Sequence, residues 1–180
     1  LKSNIESVNL QLDILINNAG TSDPQRFKDL SEESWNYVLE TNLNGAFRVA
    51  KMATDLMLKN KKGGSIINIA SILGQRVGLN LASYATSKSA LIQLTKSMAL
   101  ELARSNIRVN ALAPGYILTE INDDFFATEE GQNYIKKIPM NRLGLEEDLD
   151  GALLLLSSDA SSFMTGSVIN IDGGHLINPL

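Results

Sequence analysis

Ser65-Ile-Ile-Asn-Ile-Ala70 and, further on, Ile107-Arg-Val-Asn-Ala-Leu-Ala113 decide the fold. Each is a short, mostly apolar run of strand length. Between them a loop at 72–81 leads into a stretch from about Ala82 to Ser105, where Leu91, Leu94, Met98 and Leu102 recur at helical spacing. A strand, a long helix and a second strand form a crossover, which joins parallel strands. Upstream, Asp13-Ile-Leu-Ile-Asn17 runs into Asn-Ala-Gly20 and predicts a buried strand entering a turn. Ser31 followed by Glu32 and Glu33 predicts a helix start. From there to about Lys59 the pattern is helical, with a break near Thr41 and Asn42; Leu43, Phe47, Ala50, Thr54 and Met57 or Leu58 mark one face of its second half. Lys59-Asn-Lys-Lys-Gly-Gly64 supplies cations and a glycine stop. Downstream, Pro114-Gly115 closes the third strand, and 121–144 reads as a helical excursion. Residues 146 to about 157 form a helix with Leu149 and Leu153 to Leu156, and Ser167-Val-Ile-Asn-Ile-Asp172 is the last strand, ended by Gly173-Gly174. The order β-α-α-β-α-β-α-β predicts an α/β, doubly wound parallel sheet, one domain over residues 1–180.

Composition narrows the function. The 180 residues, 44% hydrophobic and 20% charged, suffice for one substantial core. A formal net charge of −4 offers no basic footprint, so nucleic acid is not the expected partner. The absence of cysteine excludes disulfides and thiolate chemistry and fits a reducing compartment, the cytoplasm. One histidine, His175, cannot build a metal cluster, so no metal is expected. No apolar run approaches the roughly 20 residues of a membrane span, and no signal peptide is read at the start of the chain.

In doubly wound sheets ligands bind at the carboxyl ends of the strands. Asn17 and Asn18 follow the first strand, Ser71 the second, Thr119 the third, and Tyr84 and Lys88 open the following helix on the same side. A four-residue step places Tyr84 and Lys88 on one helix face, about 6 Å apart between Cβ atoms. A phenol with an ordinary pKa of about 10 is lowered by a neighbouring positive charge. That shift predicts a group able to exchange a proton with an alcohol or ketone oxygen. Plain structural roles stand beside this one. Tyr-x-x-x-Lys is a common surface pair, Asn17 and Asn18 can close a turn, Ser71 can cap a loop, and Asn42 can mend a helix kink. Gly173-Gly174 reads as a turn and His175, which follows it, as structural.

The chain resembles the short-chain dehydrogenase/reductase family from about Leu12 to Gly174. The motifs stand in family order: Asn17-Asn-Ala-Gly20, Asn42 within Thr-Asn-Leu-Asn-Gly, Ser71, Tyr84-Ala-Thr-Ser-Lys88, Pro114-Gly115 with Thr119, and Asp172-Gly-Gly. The resemblance implies a Rossmann-like fold and an NAD- or NADP-dependent oxidoreductase interconverting a secondary alcohol and a ketone. It implies that Tyr84 is the acid/base, that Lys88 lowers its pKa and holds the nicotinamide ribose, and that Ser71 bonds the carbonyl oxygen as charge develops. Asn42 would anchor a water linking Lys88 to solvent. Asn18, Ala19 and Gly20 would line the adenosine side, and Pro114, Gly115, Ile117 (through its backbone N–H) and Thr119 the nicotinamide carboxamide.

The family pattern opens with a strand and a glycine-rich turn, Thr-Gly-x-x-x-Gly-x-Gly, that holds the pyrophosphate; this sequence lacks it. The chain therefore reads as the C-terminal two-thirds of the domain. Three strand–helix units, roughly 70 residues, are absent, and Leu1-Lys-Ser-Asn-Ile-Glu-Ser-Val8 reads as the tail of a helix. The strand at 13–17 becomes an exposed apolar edge, and residues 1–180 alone are expected to bind neither NAD nor NADP usefully. A 3-oxoacyl-thioester reductase and a sugar or polyol dehydrogenase are both open, because the loop 121–138 mixes Asp123 and Asp124 with Phe125, Phe126 and Tyr134. So is a non-catalytic remnant that binds no dinucleotide. Ala85, Ile92 and Ala99 lie off the Leu91–Leu94–Met98 stripe, which predicts a second helix face covered by another copy. The family commonly assembles in this way, as homodimers or homotetramers.

Overall fold

The computed structural model describes residues 11–119 and 122–178; the helix-tail reading of 1–8 and Ile121, the first residue of the excursion expected over 121–144, lie outside them. The strands β1 (Ile14–Asn17), β2 (Gly64–Ile69), β3 (Ile107–Pro114) and β4 (Val168–Ile171) form one sheet in chain order, every pair parallel. The crossovers are α1 (Glu32–Leu39) and α2 (Ala46–Asn60), then α3 (Ala82–Leu102), then α4 (Asp123–Ala127), α5 (Glu129–Ile135) and α6 (Asp150–Ser157). The α/β, Rossmann-like architecture is the one expected.

Local chemistry sets the boundaries. The Ser31 hydroxyl accepts the Ser34 N–H at 3.1 Å and caps α1. The predicted break at Thr41 and Asn42 is a widened π turn, Glu40–Gly45, between α1 and α2. Such bulges divert a side chain without ending the helix, and here the one diverted is Asn42, which is fully buried.

Both faces of the sheet are covered, so β2 and β3 bury consecutive residues. Met57, Ile66, Ala99, Ile107 and Val109 form one core cluster, and Ile67, Leu112 and Leu156 form another. The predicted helix faces need correction. On α2 the buried stripe is Ala46, Ala50, Ala53, Thr54, Leu56 and Met57, whereas Phe47 is 51% exposed. On α3 it is Ser87, Lys88, Leu91, Ile92, Thr95 and Ala99, with Leu94, Met98 and Leu102 half-buried beside it. Ile92 and Ala99, predicted to face a partner, sit in the core. The cause is that the sheet-facing surface uses small residues and bonded polar groups, so side-chain size misplaces the stripe.

One of those polar groups ties four elements together. Asn17 Nδ2 donates to Asn68 Oδ1 at 2.9 Å and to the Ala46 carbonyl at 3.2 Å. Asn68 Nδ2 donates to Thr95 Oγ1 at 2.8 Å, which in turn donates to the Leu91 carbonyl at 2.8 Å. Asn68→Leu keeps the volume but strands a buried Asn17 N–H, and is expected to cost about 1–3 kcal/mol. Urea unfolding checks this: a lower midpoint at unchanged slope is the expected result.

The exposed apolar edge predicted at 13–17 is present. Among the described residues β1 is an edge of the sheet, with Ile14 42% and Ile16 43% exposed.

Candidate functional site

The carboxyl ends of β1, β2 and β3 and the first turn of α3 converge on one side of the sheet. Ser71 stands two residues beyond β2 with an extended backbone, and its oxygen accepts the Leu73 N–H at 3.1 Å at the start of a tight turn, Ile72–Gly74. The same hydroxyl hydrogen-bonds the Tyr84 phenol. Ser71 does cap a turn, and it is also the phenol's partner.

Lys88 is one turn further along α3 and 3% exposed. Its Nζ lies 5.7 Å from the centroid of the Tyr84 ring and donates to the Ile69 carbonyl at 2.7 Å. Burial pulls its pKa down to about 8, so at neutral pH the ammonium form predominates. The Tyr84 phenol behaves otherwise than the spacing predicted: burial pushes its pKa up, and the Ser71 hydrogen bond only partly opposes that. The physical reason is where the charge points. Lys88 Nζ is aimed at the Ile69 carbonyl rather than at the phenol oxygen, so in this state desolvation outweighs attraction. Tyr84 is a protonated phenol at neutral pH.

Asn42 is fixed from three directions. Its Oδ1 accepts the Thr21 N–H at 2.7 Å, and its Nδ2 donates to the Thr21 carbonyl at 2.9 Å and to Ser87 Oγ at 3.0 Å. Ser87 Oγ donates to the Tyr84 carbonyl at 2.7 Å. The amide therefore locks the loop after β1 to the first turn of α3. Gly20 closes this corner: a Cβ there would lie 3.3 Å from Lys88 Nζ and 3.6 Å from Asn42 Oδ1. Asn18 and Ala19 are exposed beside it.

Pro114 ends β3, and the Gly115 N–H donates to the Ile171 carbonyl at 2.9 Å. A Cβ on Gly115 would come within 2.8 Å of Asp172. Ile117 bridges Gly144, but through the Tyr116 carbonyl and the Leu118 N–H, so its own N–H faces the other way. Asn122 clips this segment, donating to the Ile117 carbonyl at 2.8 Å and accepting the Thr119 N–H at 2.9 Å. Ser71, Tyr84, Tyr116 and Asn122 line one cleft. Gly20 meets Lys88 and Asn42, and Thr119 meets Asn122, on separate loops outside its lining.

Ser87, Asn122 and Tyr116 were not singled out from sequence. Thr119-x-x-Asn122 carries an Asx-type signal and Ser87 follows Tyr84 by three residues on one helix face, whereas nothing local marks Tyr116. Among the described residues no three His, Cys, Asp or Glu gather as a metal site, and no helix is long and apolar enough to cross a membrane.

The loop after Ser71 packs directly on α3. A Cβ on Gly74 would sit 2.8 Å from Ile92 Cδ1 and 2.9 Å from the Lys88 backbone. Gly74→Ala must push Ser71 away from Tyr84 and Lys88, with a stability cost of about 1–3 kcal/mol as in other overpacked cores. A fall in kcat larger than the fall in thermal stability explains is expected; an unchanged kcat would show that the alignment of the loop does not matter.

Comparison with known proteins fits this geometry. The family model described as enoyl-(acyl carrier protein) reductase matches residues 2–175. The 2-dehydro-3-deoxy-D-gluconate 5-dehydrogenase of Bacillus subtilis is 42% identical over 172 residues, 93% of this chain and 66% of that protein. The 3-oxoacyl-[acyl-carrier-protein] reductase of Thermotoga maritima is 40% identical, with 93% and 67% covered. A gluconate 5-dehydrogenase from Burkholderia cenocepacia, solved with NADP and tartrate, superimposes with a TM-score of 0.92 at 34% identity, covering 97% of this chain and 68% of that one. The chain thus spans about two thirds of the length of its relatives. Fold, motif order and a family match along nearly the whole length agree: the chain belongs to the short-chain dehydrogenase/reductase family.

Proposed function

We propose that this single domain serves an NAD- or NADP-dependent oxidoreductase that interconverts a secondary alcohol and a ketone. The observation that carries this reading is the Ser71–Tyr84 hydroxyl pair at the strand edge, with the buried Lys88 ammonium one turn below. Two hydroxyls at that place can hold one substrate oxygen between them. Tyr84, protonated in this state, donates its proton to that oxygen when a ketone is reduced and takes it back when an alcohol is oxidised. Ser71 bonds the oxygen as negative charge builds on it. Lys88 places a positive charge beneath the phenol and stabilises the phenolate left behind. Asn42, by fixing Thr21 and Ser87, keeps this corner rigid, and a water held there would link Lys88 to solvent.

The residues present fit a nicotinamide nucleotide. Lys88 spends one N–H on Ile69 and keeps two others for a ribose diol. Gly20 carries no side chain where a Cβ would crowd Lys88. Asn18 and Ala19 would continue that wall, and Gly115, the Ile117 N–H and Thr119 would hold the carboxamide. The nicotinamide, when bound, supplies or accepts the hydride. NADP is the form in the Burkholderia relative. A relative acts on a sugar acid and another on an oxoacyl thioester, and both classes carry the required alcohol or ketone. Mixing the complete enzyme, residues 1–180 together with a glycine-rich nucleotide-binding turn, with NADH or NADPH and a panel of ketones is the test. Nicotinamide oxidation matched by alcohol formation is expected, and none with any ketone would remove this reading.

A homodimer or homotetramer in the cytoplasm completes the proposal. The outer groove between α2 and α3, lined by Phe47, Leu94, Met98 and Leu102, is the surface for an isologous partner. Light scattering at micromolar concentration should give at least twice the chain mass, and Phe47→Glu should lower it.

A further inference from the structure

Two side chains near the Ser71–Tyr84 pair keep hydrogen-bond donors without a partner among the described residues: Tyr116 in the cleft itself, and Arg76 in the adjoining groove that shares Leu73 with it. The Tyr116 phenol lines the same cleft as Ser71 and Tyr84, and among the described residues no protein group bonds its hydroxyl. The ring is held by its neighbours, with centroids at 5.4 Å to His175, 5.8 Å to Phe126 and 6.0 Å to Tyr134. Arg76, on the loop after Ser71, is half-buried and donates from Nη1 to the His175 carbonyl at 2.7 Å. Its other N–H groups meet no protein acceptor among the described residues.

His175 supplies an independent sign that this corner awaits a ligand. It is 7% exposed, and its Nδ1 is buried without a hydrogen-bond partner. Buried polar atoms are rarely left so. The local potential is positive: the charges of Arg76 and Lys137 both reach the imidazole and oppose its protonation, and Lys137 Nζ is anchored 5.1 Å from the Tyr134 ring centroid. The one carboxylate that reaches it, Asp172, is already engaged, accepting the N–H groups of Gly174 at 2.9 Å and Leu176 at 2.6 Å. Spare donors on Arg76 and Tyr116, and a positive charge that Asp172 does not cancel, favour an anion here.

We propose that Arg76 and Tyr116 form a carboxylate-reading pole beside the Ser71–Tyr84 pair, so that the substrate is a short hydroxy- or oxo-carboxylate. This rests on the oxidoreductase reading and narrows its substrate class. Arg76 and Tyr116 determine specificity, whereas His175 is a positioning residue, holding Arg76 through its carbonyl and Tyr116 through its ring. The carboxylate takes the spare guanidinium N–H groups and the Tyr116 hydroxyl, and Ser71 and Tyr84 address the carbinol.

The chain provides its own probe, because His175 is its single histidine and gives one set of imidazole resonances. Titration of the protein with gluconate, and with sorbitol as the uncharged polyol counterpart, reads the pole without requiring turnover. Gluconate is expected to shift the His175 signals saturably, and sorbitol at the same concentrations is not. Arg76→Gln should weaken gluconate binding by more than about tenfold, as loss of a charged hydrogen bond does. Tyr116→Phe, which keeps the ring packing, should weaken it by a smaller factor, and Arg76→Lys should retain part of the affinity. Equal responses to gluconate and sorbitol, no saturable response, or gluconate binding unchanged in both Arg76→Gln and Tyr116→Phe would each overturn the proposal. Tyr84→Phe should still bind gluconate, so failure of the pole and failure of the hydride chemistry show separately.

Discussion

Tyr84→Phe in the complete enzyme is expected to lower kcat by about 10²–10⁴-fold, the usual worth of a general acid/base, while nicotinamide nucleotide binding stays near wild type. The phenylalanine ring keeps the packing of the first turn of α3, and Lys88 keeps its bond to the Ile69 carbonyl. What disappears is the one proton that the phenol gives or takes and the hydrogen bond to Ser71. Steady-state kinetics with a parallel nucleotide titration check this. A kcat within a few-fold of wild type would remove Tyr84 from the chemistry. A matched loss of nucleotide binding would show that the phenol holds the nucleotide rather than the proton.

Lys88→Met is expected to abolish turnover and to make the fold more stable at neutral pH. The lysine pKa is about 8 in the folded protein against an ordinary 10.5, because burial disfavours the ammonium. A base whose folded pKa is depressed destabilises the fold in its charged form. That penalty is fully present below about pH 8 and fades as pH rises toward the unfolded value. The shift corresponds to roughly 3 kcal/mol, offset by the Ile69 carbonyl losing its donor, a loss of about 1–3 kcal/mol. A net gain on the order of 1 kcal/mol is expected at pH 7, vanishing at about pH 9 and reversing above it, because the lost hydrogen bond remains when the burial penalty has gone. Urea midpoints for both proteins across that range are the check. A variant less stable than wild type at pH 7 would mean that the ammonium is better solvated than its burial implies. Such an exchange of stability for activity is the usual signature of a residue kept for function.

The strands were legible because each is a continuous apolar run closed by a turn signal; residues 65–70 and 107–113 fall in β2 and β3 almost to the residue. The placement of Tyr84, Lys88 and Ser71 was legible too, since helix spacing and strand ends are properties of the chain itself. The face of α3 was not. Its core stripe holds Ser87, Lys88 and Thr95, which look like surface residues until Asn42, Ile69 and Asn68 supply their partners from elsewhere in the chain. The direction of the Tyr84 shift was missed for the same reason, because spacing brings an ammonium near the ring but says nothing of the carbonyl at which it points. Arg76 and His175 meet across 99 positions of sequence, a contact that no local pattern reports.

The central claim is that one proton passes between Tyr84 and the substrate oxygen while hydride passes between the nicotinamide and the carbon that bears that oxygen. Reduced nicotinamide nucleotide carrying deuterium at its transferable position, mixed with the complete enzyme and a ketone substrate, tests it most directly. Mass spectrometry of the alcohol should find one deuterium on the carbinol carbon with the wild type and almost none over the same period with Tyr84→Phe. Alcohol without deuterium from the wild type, or equal labelling from both proteins, would contradict the claim.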